Sequence, residues 1–288
     1  MAVAAVVARR HHRAGRSDRS GAARLAGAVL ALGAAGWALA AHHVPLHIEE
    51  LLVAIGGLGT VLFFTAVVWL FYLALEPIVR RLWPHALISW SRLVRHGPAE
   101  RLVARDVLVG QAAGGLIVVL IAVALRLPEW LGQAPSELSY NDWGLDALIS
   151  LRYAFAQIFT QPLASIGFAT GSFLVLALFR LLFRREWLAA AAFVALTGTL
   201  QAVRWDLPLG WGLTLALLIM LDFVLVALRF GLVAFMVAAF TVDLVLGLST
   251  TLDLGSWTSE PTRVMALTVL ALAAYGFRFS QRPSAPRP

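Results

Sequence analysis

EPIVRRLWPHALISWSRLVRHGPAERLVARD, residues Glu76–Asp106, is the longest charged interruption in an otherwise mostly apolar chain. Hydrophobic runs flank it on both sides, and it holds six arginines: Arg80, Arg81, Arg92, Arg95, Arg101 and Arg105. Apolar runs separated by short charged segments are the pattern of a chain that crosses a bilayer repeatedly. Each crossing needs about 20 apolar residues in a helix, whose backbone groups satisfy one another where no water can. Arginines clustered at the ends of two such runs belong on the cytoplasmic side. The stretch therefore sets both the class of the protein and its expected orientation.

Composition agrees. The 288 residues have a mean hydropathy of +0.81 and only 14% charged side chains, against about 25% in soluble domains. The expected fold class is all-α, a polytopic integral membrane helical bundle. The ten-residue alternation of a membrane β-barrel is absent. A net charge of +7 does not imply nucleic acid as a partner, because the arginines sit where the positive-inside rule puts them. The lack of cysteine excludes disulfides, thiolate metal sites and cysteine nucleophiles.

The apolar runs give eight spans, at about 25–41, 51–75, 107–125, 165–183, 187–203, 211–228, 232–248 and 264–277. They form a membrane domain over 25–277, between a basic N-terminal segment (1–24) and a Pro-rich tail (278–288) expected to be disordered and cytoplasmic. With both ends cytoplasmic, 19 of the 23 arginines lie inside, and acidic residues favour the outer loops. Within the opening stretch, Pro84 suits the first turn of a helix. Helical spacing over 85–96 puts Ala86, Leu87, Trp90, Leu93 and Val94 on one face. Ser89, Ser91, Arg92, Arg95 and His96 fall on the other, with Ile88 the exception. That predicts a helix lying in the membrane surface.

A second amphipathic segment, 145–161, aligns Asp146, Ser150, Tyr153, Gln157, Thr160 and Gln161 opposite Leu148, Leu151, Phe155, Ile158 and Phe159. Were it a span of its own, Arg180, Arg184 and Arg185 would fall outside. The expectation is a second interfacial helix.

Two carboxylates, Asp222 and Asp243, lie deep in apolar runs. A carboxylate at membrane depth is costly and points to a proton or cation relay. Their separation along the spans argues against direct pairing. His42, His43 and His47 with Glu49 and Glu50 carry zinc-type ligands, but their spacing matches no ligand pattern and favours a solvated loop. No nucleophile elbow or H-E-x-x-H is present. Phosphoryl transfer by a protein kinase needs a lysine on the phosphates, and the chain has none. The residues support no catalytic site, no metal site and no bound cofactor.

Several segments together resemble the C-terminal multi-spanning membrane region of large bacterial serine/threonine protein kinases. They are GRSDRSGAARLA (Gly15–Ala26), Ala41-His42-His43-Val44, LEPIVRRLWPHALISWSRLV (Leu75–Val94), VARDVLVG (Val103–Gly110), TTLDLGSW (Thr250–Trp257) and AAYGF (Ala273–Phe277). The resemblance covers most of the chain, but none of the matched positions belongs to a kinase fold. It implies a bacterial inner-membrane location and a kinase domain, fused or acting in trans, as partner. MAVAAVV (1–7) is similar to the end of a further span, which implies either a longer reading frame or a free-standing descendant.

The functional expectation is a non-catalytic membrane module, anchoring or sensory, in contact with the lipid bilayer. Its candidate cytoplasmic docking loop carries Arg80, Arg81, Trp83, Trp90, Arg92 and Arg95. The alternative is a small proton- or ion-coupled transporter using Asp222 and Asp243, which predicts a cavity joining the two.

Overall fold

The computed structural model describes residues 19–42, 47–130, 132, 146–204, 209–248, 251, 253, 255–256 and 258–282. All regular structure among them is helical. In chain order the helices are α1 (Arg19–Ala40), α2 (His47–Leu82), a 3-10 turn η1 (Pro84–Leu87), α3 (Ile88–His96) and α4 (Arg101–Trp130). The short α5 (Asp146–Ile149) leads into α6 (Leu151–Phe183), followed by α7 (Glu186–Arg204), α8 (Leu209–Phe230), α9 (Leu232–Gly247) and α10 (Ser259–Ser280). Among the described residues seven of these, α1, α2, α4, α6, α7, α8 and α10, are long and apolar enough to cross a membrane. The remaining expected span, α9, has 16 residues, about 24 Å at 1.5 Å per residue. It is the bundle's central helix, with Leu232, Ala234, Ala238 and Leu244 inaccessible.

Three sequence expectations need correction. First, α2 does not stop at Leu75 but continues through Pro77 to Leu82. An ion pair between Glu76 and Arg80, one turn apart, spans the proline. Most of the apparent loop is thus helical, with only Trp83 and the turn 97–100 between elements.

Second, the segment 145–161 is not a separate helix on the surface. Its larger part forms one helix with the fourth span, the 33-residue α6. At about 50 Å that helix exceeds a hydrocarbon core of roughly 30 Å and includes both elements. The polar stripe faces the bundle rather than an interface: Tyr153 and Gln157 are buried, and Ser165 is 1% exposed. Close helix approach explains this, since a Cβ at Gly36 of α1 would meet Thr160 and one at Gly247 of α9 would meet Gln161.

Third, η1 and α3 together turn their apolar face onto the protein, not onto lipid. Ala86, Leu87 and Trp90 are buried in the main core, while Ile88 faces out.

The bundle is tied at its centre by close backbone packing. Gly110 and Gly114 of α4 lie against Ala234 and Ala238 of α9, where an added Cβ would sit 2.5 and 2.6 Å from the two carbonyl oxygens. Small residues at i and i+4 on both helices permit that approach, the main route to helix association in lipid. Phe168 and Phe173 of α6, Phe223 of α8 and Phe235 of α9 join their helices by ring contacts with centroids 5.2 to 5.9 Å apart. Outside, α2 exposes Ile48, Leu52, Ile55, Leu62 and Phe63, an apolar surface suited to contact with lipid.

Candidate functional site

Two polar loci stand out, one at each end of α9. The first is built on the arginine-rich stretch. Trp83 follows the end of α2 and is 2% exposed; the chain then turns through η1 into α3. The Ser89 hydroxyl donates to Asp106 Oδ2 of α4, and both residues are buried. Arg105 donates to Asp106 Oδ1 from Nε at 3.0 Å and from an Nη at 2.7 Å. A carboxylate out of water is tolerable when ion-paired and hydrogen-bonded in this way. Trp90 Nε1 donates to the Tyr72 hydroxyl at 2.9 Å. His85 Nε2 lies 2.8 Å from the Leu228 carbonyl, which requires that nitrogen to carry the hydrogen.

Gly231 completes the lock. At φ +95° it ends α8 and starts α9, and an added Cβ would lie 2.3 Å from the Ala86 carbonyl oxygen. The result is a platform, 84–96, fixed to α2, α4, α8 and α9. Arg80, Arg81 and Arg92 project from it or from the adjoining end of α2, each exposed. Arg92 pairs with Glu100. The side chain of Arg95 lies outside the described residues, as do those of His43 and His47 and all of residues 1–7. Trp83 and Trp90 are core residues rather than contact residues. Helical projection puts Ser89 on the polar face, but its bond to Asp106 turns it inward.

The second locus follows the inward face of α6. The His42 ring and the Tyr153 hydroxyl are in hydrogen-bond contact at 3.1 Å, and Arg152 donates to the same hydroxyl at 3.0 Å. One turn further on, Gln157 Oε1 accepts from Gln161 Nε2 at 3.0 Å. Next, Ser165 Oγ lies 2.9 Å from both the Gln161 carbonyl and Asp243 Oδ2 of α9. Residues 153, 157, 161 and 165 repeat every four positions, which places them on one helix face. The column leads from the end opposite the arginine-rich platform to Asp243.

Asp243 also borders a cavity of about 230 Å³ whose other polar lining residue is Gln201 of α7. Asp222 is not among the residues lining that cavity. Its Oδ2 is buried with no hydrogen-bond partner among the described residues. The two aspartates are thus not brought together. The contributions of Ser165, Gln201 and Asp106 escape a reading of the sequence. Gln201 carried the clearest available signal, an amide close to the end of an apolar run. Asp106, next to Arg105, looks like any charged span end. Among the described residues no group of His, Cys, Asp and Glu is arranged to hold a metal ion.

Comparison with other proteins leaves these loci to be interpreted on their own chemistry. No known family, no curated protein and no solved structure matches this chain.

Proposed function

We propose that this chain is a non-catalytic, multi-pass membrane module that anchors or relays a signal to a cytoplasmic partner. In this reading it resides in a bacterial inner membrane with the arginine-rich end inside. The observation that carries it is the locked platform. A passive connecting loop has no need of a buried Ser89–Asp106 bond, a Trp90–Tyr72 bond and a glycine shaped to its backbone. A fixed surface bearing Arg80, Arg81 and Arg92 suits an output face that moves with the bundle. The kinase resemblance names a kinase domain, fused or separate, as the class of partner.

The test begins with orientation. The chain has no cysteine, so single-cysteine variants report without background. In right-side-out vesicles, Ile149→Cys should react with a membrane-impermeant maleimide, and Ala99→Cys only after lysis. The reverse pattern would overturn the orientation and with it the cytoplasmic platform. Nucleotide binding or autophosphorylation by the purified chain would overturn the non-catalytic reading.

The second locus favours one alternative, proton- or ion-coupled transport, through Asp243 alone. A carboxylate beside a polar column and a cavity is the usual form of an intramembrane relay. Proteoliposomes loaded with a pH-sensitive dye test it: Asp243→Asn should abolish a proton flux that Asp222→Asn leaves intact. Equal flux in all three proteins would remove this alternative.

A further inference from the structure

An apolar space in the bundle reaches from the platform to the polar column, bordered by Trp90 of the first locus and Ser165 of the second. It is a slot of about 850 Å³, almost wholly apolar, walled by α1, α3, α4, α6, α9 and α10. It exists because α10 packs along α4 while barely touching α9, and because Pro162 and Ala28 contribute little bulk to its walls. Its volume falls within the range of about 300–1,000 Å³ typical of ligand pockets.

Arg24 is the charged residue of the slot's lining. Arg24, Trp90 and Tyr275 stand at the arginine-rich end, and the lining runs through Val237 toward Pro162 and Ser165. Arg24 is exposed, and one of its nitrogens donates to the Val94 carbonyl at the end of α3. A guanidinium has five N–H donors in a fork that fits a phosphate. Tyr275 donates to the Pro98 carbonyl, leaving its ring among the lining. A cation and two amphipathic aromatics over an apolar shaft match a lipid at the headgroup boundary.

We infer that this slot holds one anionic phospholipid of the inner leaflet, its phosphate on Arg24 and an acyl chain along α9 toward Ser165. The inference rests on the membrane placement proposed above. A lipid chain seated there ends beside the hydroxyl that donates to Asp243.

The test uses the full chain extracted in mild detergent, with native mass spectrometry and assay of the retained lipid. The wild type should keep one phosphatidylglycerol-class lipid through a wash that strips the bulk. Val237→Trp, which fills the shaft, should lose it; Val237→Phe serves if the larger ring prevents folding. Arg24→Gln should retain anionic lipid about tenfold more weakly, the order expected for losing a charge-assisted phosphate bond. Leu225→Trp, on an outward face, should leave retention unchanged.

Equal retention in all variants would overturn the site. So would occupancy by neutral lipid regardless of Arg24, or a wild-type dimer that Val237→Trp makes monomeric. Recovery of the chain in the soluble fraction would instead refute the membrane placement, a different outcome from a membrane-bound protein without lipid.

Discussion

Replacing Gly114 by alanine, with Gly115 as its neighbour control, isolates helix contact from helix propensity. Both glycines lie in α4, and each substitution gains up to about 1 kcal/mol of intrinsic helix preference on the soluble scale. They differ in what the new methyl group meets. At Gly115 it finds nothing within 4 Å. At Gly114 it would stand 2.6 Å from the Ala238 carbonyl oxygen and 2.7 Å from Thr241 Cβ. The carbonyl belongs to the backbone of a second helix, so relief requires α9 to move away by several tenths of an ångström or more. Overpacking of that kind costs about 1–3 kcal/mol. Gly115→Ala should therefore be neutral or slightly stabilising, and Gly114→Ala should fall about 1–3 kcal/mol below it, because the propensity gain is common to both and cancels. Unfolding of the purified protein in mixed micelles, titrated with a denaturing detergent and followed by circular dichroism, measures the gap. Equal stabilities for the two variants would refute the close α4–α9 approach.

Other changes bear on the platform. Gly231→Ala forces a left-handed backbone on a residue with a side chain, about 1–2 kcal/mol, and pushes the Ala86 carbonyl. It should destabilise the protein and raise maleimide labelling of a cysteine placed at the half-buried Ser91. Ser89→Ala removes one bond to a buried carboxylate, an expected loss of about 1.5–3 kcal/mol in the same unfolding titration. Trp90→Phe keeps most of the ring but not the bond to Tyr72, and should cost about 1 kcal/mol. Trp90→Ala should cost about 3–5 kcal/mol. A freely tethered loop would show neither the Trp90 ranking nor the Ser89 effect.

The all-helical class and the apolar runs behind the seven long helices were legible because apolar length is a one-dimensional property. Charge asymmetry could be counted in the same way. What failed were boundaries and faces. A proline normally argues for a helix end, yet α2 passes Pro77, because the Glu76–Arg80 pair and packing on both sides outweigh one missing bond. The stripe on 145–161 is legible in the sequence, but a polar face can turn to an interface or to a bundle with equal periodicity. Only the approach of α1 and α9 decides between them. Ser89 and Asp106 are 17 positions apart, and no local pattern links them. The Gly110-x-x-x-Gly114 spacing was a readable packing signal, and its partner Ala234-x-x-x-Ala238 makes sense only once the two helices face each other.

The two polar loci share an element, and that has a mechanical consequence. Helix α9 begins at Gly231, which is shaped to the platform, and carries Asp243 near its far end. Twelve residues of helix separate them by about 18 Å, beyond the 7–10 Å over which mutational effects usually couple. Yet α9 is short, centrally buried and held by backbone contact with α4. A packed rod of this kind shifts as a body, so a change at one end should be felt at the other. Gly231→Ala and Asp243→Asn therefore form a double-mutant cycle whose answer is informative either way. If α9 transmits, the coupling between the two substitutions should exceed about 0.5 kcal/mol. Stabilities that add within that margin would mean that the platform and the Asp243 column work independently. Under the proposed signalling role, the platform would then have to be reached through α2 or α4 instead.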